Sequence, residues 1–157
     1  MEETATVSLA FPPEPRLLGT VRLVVGVVAR QAGIGDEGVE DLKVAVSETC
    51  AVAVNETVKA GLGAPIELDL IRDQDRGRFG VEVRDRAPEP NSRRLPPSDE
   101  ALEDEALELD DRQFGLALVG ALVSDLKSES LEGGGHRTTF WLYHNGGSDG
   151  DGDSLGR

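Results

Sequence analysis

Asp41–Asn55, with the sequence DLKVAVSETCAVAVN, is the stretch that decides how this chain folds. Its apolar residues recur every three or four positions, as on the buried side of an amphipathic helix. The members of this buried stripe are Val39, Leu42, Val46, Cys50, Ala53 and Thr57. Glu48 lies off the stripe, with Val52 one turn later and Asn55 two turns later on roughly the same face. A carboxylate at the edge of a core can act as a general base or orient a water. The alternative is a solvated surface glutamate.

The patterns on either side of this helix predict the remaining elements. Pro15 suits the first turn of a first helix, which helical spacing continues to Ala32, and the same spacing predicts a third helix over Phe114–Val123. Alternating residues predict strands at Thr4–Phe11, Ile66–Leu70, Phe79–Val83, Leu126–Leu131 and Thr138–Tyr143. The order β-α-α-β-β-α-β-β predicts an α+β fold, a two-layer sandwich of a mostly antiparallel sheet with helices on one face.

Length and charge limit the class of protein. The 157 residues fit one domain, which we assign to residues 1–145, and the Gly/Asp/Ser-rich tail, residues 146–157, is predicted to be disordered. A net charge of −14 argues against direct nucleic-acid binding. No apolar run approaches the ~20 residues of a membrane span. Without a signal peptide at its start, the chain is expected to be cytoplasmic and not bound to a membrane.

A long segment, Arg86–Asp111, separates the third strand from the third helix. It holds four of the eight prolines, and eight carboxylates fall between Ser98 and Asp111. A loop of this length in a small domain is usually functional or mobile.

The element order, with Glu48 on the second helix and Asp85 at the end of the third strand, resembles the histidine-kinase-like (GHKL, Bergerat-fold) ATPases. Within that group the chain is similar to the anti-sigma factor and serine-protein kinase family, over residues 5–143. Members show D-L-x-x-A-V-x-E-A-C-x-N-A-V on this helix. The matching residues are Asp41-Leu42, Ala45-Val46, Glu48, Cys50 and Ala53-Val54. The resemblance implies ATP and Mg²⁺ as cofactors and Glu48 as the catalytic base.

Two family motifs are altered here. The asparagine that holds Mg²⁺ in the family is Val52, which offers no oxygen to a hard cation, so no metal ligand is assigned. Asn55, three residues later, is a candidate replacement. In the D-x-G-x-G motif Asp85 remains, as the acceptor for the adenine amino group, while Ala87 and Glu89 replace both glycines. The alternative for Asp85 is a turn residue at a strand end.

Two further positions complete the nucleotide site that the resemblance implies. Gly115 opens the third helix and could present backbone N–H groups to a phosphate. Thr139 lies in a G-T-T-like segment and would support Asp85, although a plain hairpin with β-favouring threonines explains that segment equally well. The long acidic segment would be the ATP lid.

Three functions follow from these observations. The first is an anti-sigma factor that sequesters a sigma factor and is released by an anti-anti-sigma (STAS-domain) protein; the basic Arg16, Arg22 and Arg30 of the first helix could contact the sigma factor. The second is an active serine/threonine kinase that phosphorylates the STAS protein. The third is an unrelated α+β domain. The resemblance also implies a homodimer, formed through the first strand and helix.

Overall fold

A computed structural model describes residues 4–88 and 111–144, with the backbone alone for 111–114. Its elements, in chain order, are β1 (Thr4–Phe11), a single 3₁₀ turn (Pro15–Leu17), α1 (Leu18–Gln31), α2 (Asp36–Lys59), β2 (Ile66–Asp73), β3 (Arg78–Asp85), α3 (Asp111–Leu122), β4 (Ser124–Ser130) and β5 (His136–Tyr143). The predicted acidic tail and most of the predicted lid lie outside the described residues.

The strands form one sheet in the order β1-β2-β3-β5-β4, and every neighbouring pair is antiparallel. α2 contacts the middle of this sheet, and both α1 and α3 pack against α2. The predicted two-layer α+β fold is therefore confirmed.

The core lies between α2 and the sheet because both elements are apolar on their facing sides. Leu42, Val46 and Cys50 of α2 are fully buried, as are Phe79 and Phe140 of the sheet. The opposite face of the sheet is polar, and Arg84 there hydrogen-bonds the carboxylates of Glu67, Asp69 and Glu82. One apolar and one charged face is the usual pattern of a sheet covered by helices on one side only.

The starts of two elements differ from the sequence prediction. α3 begins at Asp111, three residues before the predicted start. β5 begins at His136, two residues earlier than predicted, whereas β3 ends at Asp85, as predicted. No described helix has the length and apolar character that crossing a bilayer requires.

The β2–β3 hairpin is fixed by a buried carboxylate. Asp73 accepts hydrogen bonds from Arg78 Nε at 2.9 Å and from the backbone N–H and guanidinium of Arg76, each at 3.3 Å. Gly77 closes the turn with a φ of 58°, a conformation that favours glycine. The hydrogen bond from Arg78 lowers the pKa of Asp73, against the opposing effect of burial and with help from Arg76.

We expect Asp73→Asn to destabilise the protein at neutral pH. Because the pKa of Asp73 is lowered in the folded state, its stabilisation is fully present above the ordinary aspartate value of about 3.9 and is lost as pH falls through the lowered pKa. Urea unfolding should separate the variant from the parent at pH 7 and bring them together in strong acid. Asp75→Asn, in the same exposed turn, is the control; an equal loss there would contradict this account.

Candidate functional site

Asp85 is a buried carboxylate at the carboxyl end of β3. Its side chain is 5% exposed, and Oδ1 accepts the backbone N–H of Ala87 at 3.0 Å. Such a hydrogen bond is typical of an aspartate that stabilises a turn at a strand end, which is the alternative role considered for Asp85. Asp85 also lines a cavity between the sheet, α2 and α3, so one carboxylate serves the turn and faces the cavity.

The cavity beside Asp85 is small. Its lining residues are Thr49, Val52, Ala53, Val83, Asp85, Leu116, Ser128 and Thr138. Its volume is about 10 Å³, which is room for roughly one water molecule. Pockets for cofactor-sized ligands usually measure about 300–1,000 Å³. In this conformation the cavity itself is too small for an adenine ring.

The threonine on the Asp85 side of the sheet is Thr138. Alternate residues of β5 point to opposite faces, and Thr138 is buried at the cavity. Thr139 lines a groove on the outer face, between Lys127 and Trp141. The structure thus corrects the choice of Thr139: a difference of one position moves the side chain to the other side of the sheet.

The residues present at the cavity do not fit a magnesium ion. Val52 is 7% exposed and lines the cavity with a hydrocarbon side chain. Asn55 lies seven residues after Glu48, about 10 Å further along α2, and is not among the residues that line the cavity. Within residues 4–88 and 111–144, no three acidic, histidine or cysteine side chains group together in a way that could hold a metal ion.

Glu48 and Gly115 are brought together. A Cβ atom built on Gly115 would overlap Oε2 of Glu48 and lie 3.4 Å from its Cδ. Gly115 is the fifth residue of α3, beyond the free N–H groups of the first turn. This corrects its predicted position at the helix start. Because Gly115 has no side chain, α3 can approach the Glu48 carboxylate closely.

Glu48 also borders a second cleft. This cleft, between α1 and α2, has a volume of about 310 Å³. The other residues that line it are Arg22, Glu40, Lys43, Val44 and Ser47. Glu48 does not line the Asp85 cavity, although its neighbour Thr49 does. The two acidic residues of the predicted site therefore face two separate spaces, on either side of the contact between α2 and α3.

Cys50, the single cysteine of the chain, is packed in the core. Burial raises the pKa of its thiol to about 12, so the thiolate needed for nucleophilic chemistry is not formed near neutral pH. This agrees with the small apolar role expected from its place on the buried stripe.

Two residues at or beside the cavity are not indicated by the sequence. Ser128 of β4 lines the cavity, and His136, at the start of β5, hydrogen-bonds Ser128. Three glycines precede His136, and such a run favours a turn rather than the edge of a buried site. Gly135 has a φ of 103°, and a Cβ there would lie 2.5 Å from the backbone oxygen of Asp85. The histidine that follows this close approach is 1% exposed, which no periodicity in the sequence indicates.

Sequence comparison identifies related proteins along most of the chain. The family model described as a histidine kinase-like ATPase domain matches residues 11–142. The serine-protein kinase RsbW of Oceanobacillus iheyensis is 28% identical over 127 residues, which cover 81% of this chain and 80% of the relative. RsbW of Listeria monocytogenes is 28% identical over 131 residues, with 81% of each chain covered.

Solved structures show the same fold at lower sequence identity. The crystal structure of the RsbU and RsbW domains of Rv1364c from Mycobacterium tuberculosis superposes with a TM-score of 0.64 and 19% identity, covering 88% of this chain and 32% of that one. The SiaB–SiaC complex from Pseudomonas aeruginosa gives a TM-score of 0.66 and 14% identity, with 85% and 88% of the two chains covered.

We expect Gly115→Ala to stabilise α3 less than a glycine-to-alanine change normally does. Such a change inside a helix gains about 1 kcal/mol from helix propensity. At Gly115 the new Cβ displaces the Glu48 carboxylate, whereas at Gly120 it meets only Leu126 Cδ2 at 3.6 Å. Gly120→Ala is therefore the matched control.

Chemical unfolding of the two single variants, of Glu48→Ala and of the double variants measures the contact as a coupling energy. Glu48→Ala should restore the full gain at Gly115, with a coupling of about 0.5 kcal/mol or more, and leave the gain at Gly120 unchanged. Equal gains at both glycines in the parent would show that α3 does not approach Glu48 in solution.

Proposed function

Because the chain belongs to the family of histidine kinase-like ATPase domains, we propose that it is an anti-sigma regulatory factor. It sequesters a sigma factor in a partner-switching circuit, and an anti-anti-sigma (STAS-domain) protein competes for it. The observation that carries this proposal is the cavity beside Asp85, which has room for about one water and receives Val52 in place of a metal-binding oxygen. A regulator that works by binding a partner needs the fold but not an intact metal site.

The exposed side of α1 supports a protein-binding role. Leu23 is 69% exposed and Val27 is 48% exposed. These two apolar residues lie on one side of the helix, and Arg30 extends the same stripe at its carboxyl end. Arg16 lies in the 3₁₀ turn before the helix, where it is paired with Glu14. Exposed apolar side chains rimmed by charge are typical of a protein-binding surface. In a chain of net charge −14, a basic rim suits an acidic partner.

The free edge of the sheet supports the predicted homodimer. β1 pairs with β2 on one side, and no other described strand covers its second edge. Seven of its eight residues are exposed or half-exposed, including Val7 at 41%. An uncovered strand of this length can pair with the same strand of a second copy.

A second candidate function is an ATP-dependent serine/threonine kinase that acts on the STAS protein. The position of Glu48 favours it, because the residue is half-buried and borders an open cleft with Arg22 and Lys43. There Glu48 could accept a proton from a hydroxyl group of a bound protein. Val52 and the small cavity weigh against this candidate, since phosphoryl transfer depends mainly on metal and positioning.

Calorimetric titration with ATP, with and without Mg²⁺, separates the two candidates. We expect no saturable binding at about 1 mM ATP, which corresponds to a binding free energy weaker than about −4 kcal/mol. Asp85→Asn is the control for binding at this site. Magnesium-dependent micromolar binding that Asp85→Asn abolishes would overturn the nucleotide-independent proposal and favour the kinase.

Binding to purified sigma factors from the source organism tests the leading proposal directly. We expect one of them to bind the full-length chain, and Leu23→Asp to weaken that binding at least tenfold, about 1.4 kcal/mol, through loss of an apolar contact. Val58→Asp is the matched control, since Val58 is 56% exposed on α2. Binding to none of the sigma factors, or equal effects of both substitutions, would count against α1 as the sigma-binding surface.

A further inference from the structure

Three neighbouring strands bring a carboxylate, an imidazole and a hydroxyl group together beside the small cavity. Asp85 ends β3, His136 begins β5, and Ser128 lies on β4 at the far side of β5. Asp85 and Ser128 line the cavity, and His136 lies behind them, hydrogen-bonded to Ser128. Asp85 is 5% exposed and His136 is 1% exposed. Of these three residues, the nucleotide site implied by the family uses only Asp85.

His136 is held from one side and adjoins Asp85 on the other. Its Nε2 shares a hydrogen bond with Oγ of Ser128. Asp85 and His136 are directly opposite each other in the β3–β5 register, and both are buried on the helix side of the sheet. Residues opposite each other in an antiparallel pair have Cβ atoms about 4.5–5.5 Å apart. The imidazole and the carboxylate are thus close enough to affect each other's charge.

The surroundings of Asp85 give this neighbour a purpose. Val52, Val83 and Leu116 form much of the cavity wall, and their side chains offer no hydrogen bond that would hold the carboxylate in place. A cation directly opposite the carboxylate can hold it by electrostatic attraction. We propose that His136 is a positioning residue for Asp85: held by Ser128, its imidazolium form attracts the carboxylate and fixes its place at the cavity, where it can accept a hydrogen bond from a ligand amino group.

Among the described residues, the other charged groups near this end of the sheet lie outside the cavity wall. Arg137, Lys127 and Glu129 lie on the outer face, where Arg137 is paired with Glu129 at 2.8 Å. Arg86 and Glu132 line a separate cleft, which Asp85 also borders. α2 and α3 contribute no titratable residue to the cavity wall among the described side chains, although Glu56 is buried on α2 beyond Val52. Asp85 is the acidic group in direct register with His136.

Nuclear magnetic resonance titration of the ligand-free protein tests the proposal. The chain has two histidines, so His144→Gln assigns the ring signals. We expect Asp85→Asn to lower the pH at which His136 gains its proton by about 1–3 units, the usual effect of removing an opposite charge at this range. Glu132→Gln, which also changes a carboxylate to an amide at this end of the sheet, should leave that pH unchanged. Equal titration of His136 in the parent and in Asp85→Asn would overturn the proposal.

A second variant, Asp85→Glu, shows whether a change seen in Asp85→Asn comes from the lost charge or from altered packing. Asp85→Glu keeps the charge, so His136 should titrate within a few tenths of a unit of the parent if charge is the cause. A shift in Asp85→Glu as large as in Asp85→Asn would assign the effect to packing and refute the positioning role. The consequence for ligands rests on the proposed family role of Asp85, but the titration requires no nucleotide. If ATP does not bind in calorimetry, the titration of His136 can therefore still support or refute this proposal.

Discussion

The packing of α2 against the sheet is the constraint on which the rest of the structure depends. Leu42, Val46 and Cys50 have no exposed surface, and they meet the equally buried Phe79 and Phe140. Shortening one large buried side chain costs about 2–5 kcal/mol, against a total stability of about 5–15 kcal/mol for a typical domain. The residues on this face of α2 can therefore vary little. Their packing against the sheet also fixes the directions in which the other side chains of α2 point.

The other sides of α2 are free of that constraint, and there the chain departs from the family motif. Val52 and Thr49 face the Asp85 cavity, and Glu48 faces the cleft beside α1. A valine at the cavity offers no metal-binding oxygen and forms part of an apolar wall that also includes Leu116 and Val83. A change at Val52 or Glu48 thus need not weaken the fold, because the positions that face the cavity and the cleft occupy other stripes of the helix than the core positions.

The fold could be predicted from the sequence because its signals are periodic. Spacing of three and four identified α1 and α2, and alternation identified each of the five strands. The site could be predicted only in part. Thr139 and Thr138 are adjacent in sequence and on opposite faces of β5, so an error of one residue exchanged them. The volume of the cavity, the burial of His136 and the approach of Gly115 to Glu48 depend on how distant elements pack, for which a single sequence carries no periodic signal.

The strand order has a consequence for the route by which this sheet forms. β2–β3 and β4–β5 are local hairpins, which form within about 1–10 μs in isolation. β1 instead pairs with β2 across the entire α1–α2 hairpin, so that Phe11 meets Ile66 and Thr4 meets Asp73. Contacts so distant in sequence form late. Until β1 docks, the edge of β2 exposes unsatisfied backbone groups beside Leu68 and Leu70, and a nascent or heated chain is most prone to aggregate there.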